Sequence, residues 1–314
     1  MIFDDIYGNS DIKSMLLNII NNGNVPHALL FYGADGIGKR KMAEAFSCSY
    51  MNLSEIKDYP DIYKYYLGSN KKSIGVEDIR AIIEETNKKP FLSDKKIIII
   101  DEFHKATESA QNAFLKTLEE PNKNITIILI ANNERDILDT IRSRCQVFNF
   151  KPLNEIELRL FLKKEIKNVD ENKIDVSITL SQGVPKRAKM FLEDDLFIAL
   201  REYALEILNL KELSFDSSLK FNKILEKYKN SWEDLLIFML SYIRDILFFK
   251  QNLGSEDLIN KDKQDKIYDL SLRYETIELF SLIKNINKAI QMLKSNVNNI
   301  LALEHFIIFS KGGT

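Results

Sequence analysis

The stretch Gly33-Ala34-Asp35-Gly36-Ile37-Gly38-Lys39-Arg40 has the residue types and spacing of a device for holding phosphate groups. Glycines let a backbone turn tightly and aim its N–H groups at an anion. A helix beginning at Lys39 adds its positive N-terminal end, and the Lys39 ammonium reaches the terminal phosphates. Such a loop ordinarily places Ser or Thr after the lysine, because the hydroxyl ligates Mg²⁺. Arg40 stands there instead. A guanidinium has five donors and no acceptor, so it cannot ligate a cation, and it brings positive charge to the place of the metal. The expectation is a nucleotide site that binds ATP weakly or holds it without hydrolysing it.

Further residues could belong to the same chemistry. Asp101-Glu102 closes a run of four isoleucines, where one carboxylate could support Mg²⁺ and the other polarise an attacking water; acidic residues are also ordinary at strand ends. Asn132 and Asn133 follow a third apolar run, where a polar sensor of phosphate is expected, and either could serve or simply start a turn. Thr140-Ile141-Arg142-Ser143-Arg144-Cys145 offers two guanidinium groups. Alone, that run reads equally well as a surface turn with solvated arginines. Lys186 and Arg187 follow Gly183-Val184-Pro185 and are candidates for a second sensor.

These residues need a scaffold. His27 to Tyr32 is a short apolar run that reads as a buried strand, and Lys39 to Tyr50 reads as a helix. Lys96 to Asp101 is a β-branched run suited to a parallel strand covered on both faces. The helix after it carries Ala110, Phe114, Leu115 and Leu118 on one side and stops at Pro121; Ile125 to Ala131 is a third strand. Asn9 or Ser10 is expected to cap an earlier helix with Ile12, Leu16, Ile19 and Ile20 on one face. Strands alternating with helices predict an α/β fold around a parallel sheet over residues 1–152. Beyond that the pattern is helical: a small unit over 153–196, then an all-α region over 197–314. Long helices are expected at Trp232–Phe249 and Tyr274–Leu293, with a loop at Phe215-Asp216-Ser217-Ser218. Aromatic residues of the Trp232 helix, Phe238, Tyr242, Phe248 and Phe249, read as core or as packing between subunits.

Composition narrows the function classes. The 314 residues are 45% apolar and 29% charged, with few Gly (11) and Pro (6), as in a folded, helix-rich chain rather than a disordered one. A net charge of −2 gives no bulk attraction to nucleic acid, which argues against a protein that binds DNA alone. Lys71-Lys72 and Lys95-Lys96 read as solvated surface. Two cysteines, Cys48 and Cys145, and three histidines make neither a zinc pattern nor a disulfide framework, so no metal is expected and a reducing cytoplasm fits. The acidic start, Met1-Ile2-Phe3-Asp4-Asp5, does not read as a signal peptide, and no stretch is long and apolar enough for a membrane helix.

Several segments together resemble the bacterial clamp-loader subunits of the AAA+ class. Leu115-Lys116-Thr117-Leu118-Glu119-Glu120-Pro121, within Ala106 to Pro121, resembles that family's signature helix, and Ser143-Arg144-Cys145 resembles its SRC motif. His27 to Phe31, Ile74 to Arg80 and the Asn298–Leu303 pattern are similar to further family segments. The resemblance is specific over 25–150 and looser beyond. It implies an AAA+ P-loop domain, a helical lid and a C-terminal collar that holds a hetero-pentameric ring. It implies gamma/tau and delta clamp-loader subunits as partners, with the sliding clamp and primed DNA reached through the complex. Arg144 would be the arginine finger, inserted in trans into a neighbour's ATP site, with Arg142 the lesser candidate. The family's four-cysteine zinc module is missing: Cys48 stands alone and Tyr59-Pro60-Asp61 occupies that region. Arg40 favours a non-hydrolysing assembly subunit; the alternative is an ATP-hydrolysing gamma/tau-like motor.

Overall fold

A computed structural model describes residues 2–55, 58–68, 71–167, 169–209, 231–251, 254 and 257–294. The loop expected at Phe215–Ser218 and the Asn298–Leu303 pattern lie outside the described residues. The chain divides into two compact units, Met1–Phe161 with Gly183–Lys186, and Leu162–Gln182 with Arg187–Thr314.

The first unit is built on a five-stranded parallel sheet: β1 (Ala28–Tyr32), β2 (Ile62–Tyr65), β3 (Lys96–Ile100), β4 (Ile125–Ala131) and β5 (Gln146–Asn149), in the order β2-β3-β4-β1-β5. Leu30 pairs with Leu129 on one side and Val147 on the other, and Ile98 pairs with Ile127. The three central strands are the expected ones, and β3 and β4 are buried along their whole length. Both edge strands escaped sequence reading. Ile62-Tyr63-Lys64-Tyr65 and Gln146-Val147-Phe148-Asn149 are four residues each, partly exposed, and lack a continuous apolar run. Because all strands are parallel and β1 and β3 both flank β4, the loops leaving β1, β3 and β4 emerge side by side at the carboxyl edge, where α/β sheets place their ligands.

Helices α1 (Ser10–Asn21), α2 (Lys39–Tyr50), α3 (Val76–Asn87), α4 (Glu108–Glu119) and the short α5 (Asp139–Arg142) cover this sheet or join its strands. Helix α1 starts as expected, but the Asn9 side chain makes no cap bond. It pairs instead with the Lys151 backbone, accepting from its N–H at 2.8 Å and donating to its carbonyl at 3.1 Å. The doublet Lys95-Lys96 is likewise not plain solvated surface. Lys96 is buried and ion-paired with Glu85, and the Lys95 ammonium sits 4.2 Å from the Tyr50 ring centroid. Both positions could not be placed from local sequence, because their partners lie on other elements.

Helix α6 (Glu155–Glu165) carries the chain out of the first unit. The second unit holds α7 (Glu171–Ser181), most of α8 (Pro185–Glu193), α9 (Asp195–Asn209), α10 (Trp232–Lys250), α11 (Gln264–Arg273) and α12 (Thr276–Lys294). Pro185 opens α8, a position that needs no N–H donor. Trp232, Phe238 and Tyr242 are core residues of this unit, and Phe238 meets Phe191 and Phe197 edge-on at centroid distances of 5.3 and 6.4 Å. Exposed large apolar residues of the unit include Ile198 on α9 and Tyr268, Leu272, Ile277 and Phe280 on α11 and α12. Among the described residues, no helix is long and apolar enough to cross a membrane.

Candidate functional site

The loop between β1 and α2 has the backbone a phosphate cradle needs. Gly33, Gly36 and Gly38 have φ of 149°, 77° and 106°. A Cβ at Gly33 would lie 2.6 Å from the Phe150 carbonyl oxygen, and one at Gly36 would lie 2.4 Å from Cβ of Lys186, so neither turn tolerates a side chain. Lys186 crosses the loop here: its N–H donates to the Gly36 carbonyl at 3.3 Å, and its ammonium pairs with Asp35 at 3.0 Å.

Lys39, the first residue of α2, turns inward and is buried. Its ammonium donates to the carbonyls of Gly33 (2.5 Å) and Ala34 (2.8 Å) and to Asn132 Oδ1 (3.1 Å). An ammonium has three N–H donors, so the loop and the end of β4 satisfy all of them. Desolvation pulls its pKa down to about 8, against the attraction of Asp35 and Asp101. A phosphate would have to compete with these internal acceptors.

Arg40, one residue on, settles whether a divalent metal fits. Its Nε and one terminal nitrogen both bond Oδ2 of Asp101, which is buried at the end of β3, while the other oxygen of Asp101 accepts the Glu102 N–H at 2.8 Å. The guanidinium also lies 4.7 Å from the Tyr66 ring centroid. Burial works against the Arg40 charge, and the pairing with Asp101 outweighs it and raises the pKa. The residues therefore do not fit Mg²⁺: the hydroxyl ligand is missing, and the carboxylate that would support the metal is bonded to the chain's own cation. Among the described residues, no cluster of three or more His, Cys, Asp or Glu could hold a metal.

Around this centre, Glu102 has left-handed backbone (φ 53°) and pairs with Lys105. Asn132 is the asparagine brought to Lys39. Its backbone and side-chain nitrogens also lie 3.3 and 3.2 Å from the two ring nitrogens of His104. A neutral imidazole has one acceptor nitrogen, so only one of these contacts is a hydrogen bond at a time. Desolvation lowers the His104 pKa, which favours the neutral ring. Asn133 turns away and accepts the Arg135 N–H at 3.1 Å.

The arginines at the end of α5 and two residues beyond it are both ion-paired. Arg142 pairs with Glu134 (3.0 Å) and Asp139. Arg144 donates to the Thr140 carbonyl (2.7 Å), Ser143 Oγ (3.3 Å) and Glu119 Oε1 on α4 (2.6 Å). Burial pushes the Cys145 thiol up to about 12, which disfavours the thiolate. Arg187 lies in the second unit, where it donates to Asp234 at 2.7 Å.

Two residues that sequence reading missed shape the first unit. The buried Gln111 on α4 donates to the Ala106 and Asp136 carbonyls (3.2 and 2.9 Å) and accepts the Leu138 N–H (2.9 Å), tying α4 to the chain just before α5. Buried Asp61 accepts the backbone N–H groups of Phe91, Leu92 (2.8 Å) and Ser93 (2.8 Å), and so fixes the turn that leads into β3. Burial raises the pKa of that carboxyl, and the three N–H donors outweigh it, for a net lowering. Its stabilisation is therefore full above the ordinary carboxylate range near ~4 and is lost as pH falls through the lowered folded value. Asp61→Ala should cost roughly 1–2 kcal/mol, because three backbone donors lose their acceptor but lie in an exposed turn where water can replace part of it. Urea denaturation at neutral pH checks this, and an unchanged midpoint would show that the turn finds other acceptors.

Comparison with known proteins agrees with this geometry. Residues 8–154 match the family described as DNA polymerase III, delta subunit, and residues 196–310 match DNA polymerase III, delta subunit, C terminal. The chain is 28% identical over 330 residues to DNA polymerase III subunit delta-prime of Bacillus subtilis (strain 168), covering 96% of each. It is also 28% identical over 331 residues to subunit tau of the same organism, covering 93% of this chain but spanning only 58% of that relative. A DNA polymerase III gamma subunit-related protein of Thermotoga maritima shares the fold, with a TM-score of 0.52 at 19% identity over 94% of this chain and 98% of that one. With its parallel AAA+-type sheet, its phosphate-loop turn and both family regions in their expected order, the chain belongs to the DNA polymerase III clamp-loader subunit family.

Proposed function

We propose that the chain is a delta-prime-type subunit of the DNA polymerase III clamp loader that does not hydrolyse ATP and completes a neighbour's ATP site with Arg144. The observation that carries this reading is the pairing of Arg40 with Asp101: a fixed guanidinium holds the carboxylate that a motor subunit needs for Mg²⁺. The Lys39 ammonium, with all three donors bonded within the chain, supports it, since ATP would have to displace these bonds and would bind weakly. The partners are gamma/tau and delta subunits in a hetero-pentamer acting on the sliding clamp and primed DNA in the cytoplasm. Residues 153–196 form the lid and 197–314 the collar, in which the exposed Leu272, Ile277 and Phe280 suit a subunit interface.

Steady-state ATP turnover of the isolated full chain with Mg²⁺ tests this. The expected result is no turnover above background at any metal concentration. Mg²⁺-dependent turnover by the isolated chain would overturn the reading in favour of a motor subunit.

A further inference from the structure

Arg144 is not a loose surface side chain. Of its five N–H donors, three are bonded within the chain, to the Thr140 carbonyl, Ser143 Oγ and the Glu119 carboxylate. Two remain without a partner among the described residues, enough for a bidentate grip on an anion. The bonds to Thr140 and Ser143 come from the arginine's own turn and move with it. The bond to Glu119 comes from another element.

That element is well anchored. Helix α4 begins one turn after the Phe103–Lys105 segment that follows the Asp101-Glu102 pair. Its N-terminus is capped by Thr107, whose side chain accepts the Ala110 N–H at 3.2 Å. At the end of its first turn Gln111 bonds Asp136 and Leu138, ahead of α5. Its last residue, Glu119, holds the guanidinium of Arg144 at 2.6 Å. The same rigid rod thus braces the backbone before the arginine and the head group at the arginine's tip.

We infer that Glu119 is a positioning residue for Arg144, holding the guanidinium plane so that its remaining donors face the neighbouring subunit. The inference rests on the trans-acting role of Arg144 proposed above. An arginine free in solvent must give up side-chain freedom on reaching a phosphate; Glu119 imposes that ordering in advance. The pair is half-exposed (33% and 47% for the two side chains), so its effect is modest.

The test is ATP hydrolysis at the site this chain completes, read in the reconstituted loader with the remaining ATP sites disabled, with the full chain carrying Glu119→Ala, Glu119→Gln, Arg144→Ala or Glu119→Ala with Arg144→Ala. Glu119→Ala should lower kcat about two- to five-fold, as an exposed ion pair allows, with KM and assembly unchanged. Glu119→Gln, which keeps an acceptor oxygen, should recover part of that loss. Glu119→Ala should change nothing in the Arg144→Ala background, a result that a merely structural role would not give. If Arg144→Ala slows turnover but Glu119→Ala leaves it equal or faster, the positioning role is wrong while the role of Arg144 stands. If Arg144→Ala itself has no effect, the trans-acting role fails, and the positioning role fails with it.

Discussion

Arg144→Ala is expected to slow hydrolysis by on the order of 10³-fold at the one ATP site that this chain completes, the lower end of what an arginine finger supplies in trans. The guanidinium meets charge that develops on the transferring phosphoryl group, so its loss falls on kcat rather than on KM. Single-turnover hydrolysis in a reconstituted loader, with the remaining ATP sites disabled by substitution of their own phosphate-loop lysines, isolates that site. The folded chain should barely notice, because the bonds lost are surface contacts to Thr140, Ser143 and Glu119, worth less than about 1 kcal/mol. Arg142→Ala is the internal control. Arg142 is held by Glu134 and Asp139, both ahead of it in the chain, and its removal should leave hydrolysis within about two-fold. An Arg144→Ala loader that assembles normally and hydrolyses at the wild-type rate would end the trans-acting reading.

What could be read from the sequence follows the range of the interactions. The central strands β1, β3 and β4 are continuous apolar runs whose burial is a local property, and helices α2 and α4 end on local signals such as Pro121. Edge strands β2 and β5 are four residues each, partly exposed, and mix polar with apolar residues, so neither shows a continuous apolar run. The phosphate-loop turn was legible because its glycines are dictated by backbone geometry within eight residues. Pairings across the sheet were not. The sequence shows that Arg40 cannot ligate a metal; only the fold shows it seated on Asp101. The choice between Asn132 and Asn133 turns on which one faces Lys39 at the end of β4, a matter of strand phase. Asp61 reads as one more acidic residue beside Pro60, and its role depends on a turn some thirty residues later.

Arg40→Thr should give the chain a metal dependence that it lacks. The substitution supplies the hydroxyl that Mg²⁺ takes as a ligand and frees Asp101 to support the ion. Without metal the variant should be less stable than wild type by roughly 1–3 kcal/mol. Buried Asp101 would then keep only the Glu102 N–H and the more distant attraction of Lys39, although the exposure of the Arg40 side chain (54%) softens the loss. Mg²⁺ with ATP should restore that stability, by about 2.7 kcal/mol when the ligand stands at 100 times its Kd. Thermal melts of both proteins with ATP, with and without EDTA, read this directly: the wild-type midpoint should ignore EDTA, and that of the variant should fall. Arg40→Met separates the two effects, since it also releases Asp101 but brings no hydroxyl, and should be destabilised without rescue by metal. A wild-type chain whose melting with ATP already depends on Mg²⁺ would mean that Arg40 leaves Asp101 when nucleotide binds. The guanidinium would then be a movable gate over a working site rather than a fixed substitute for the metal.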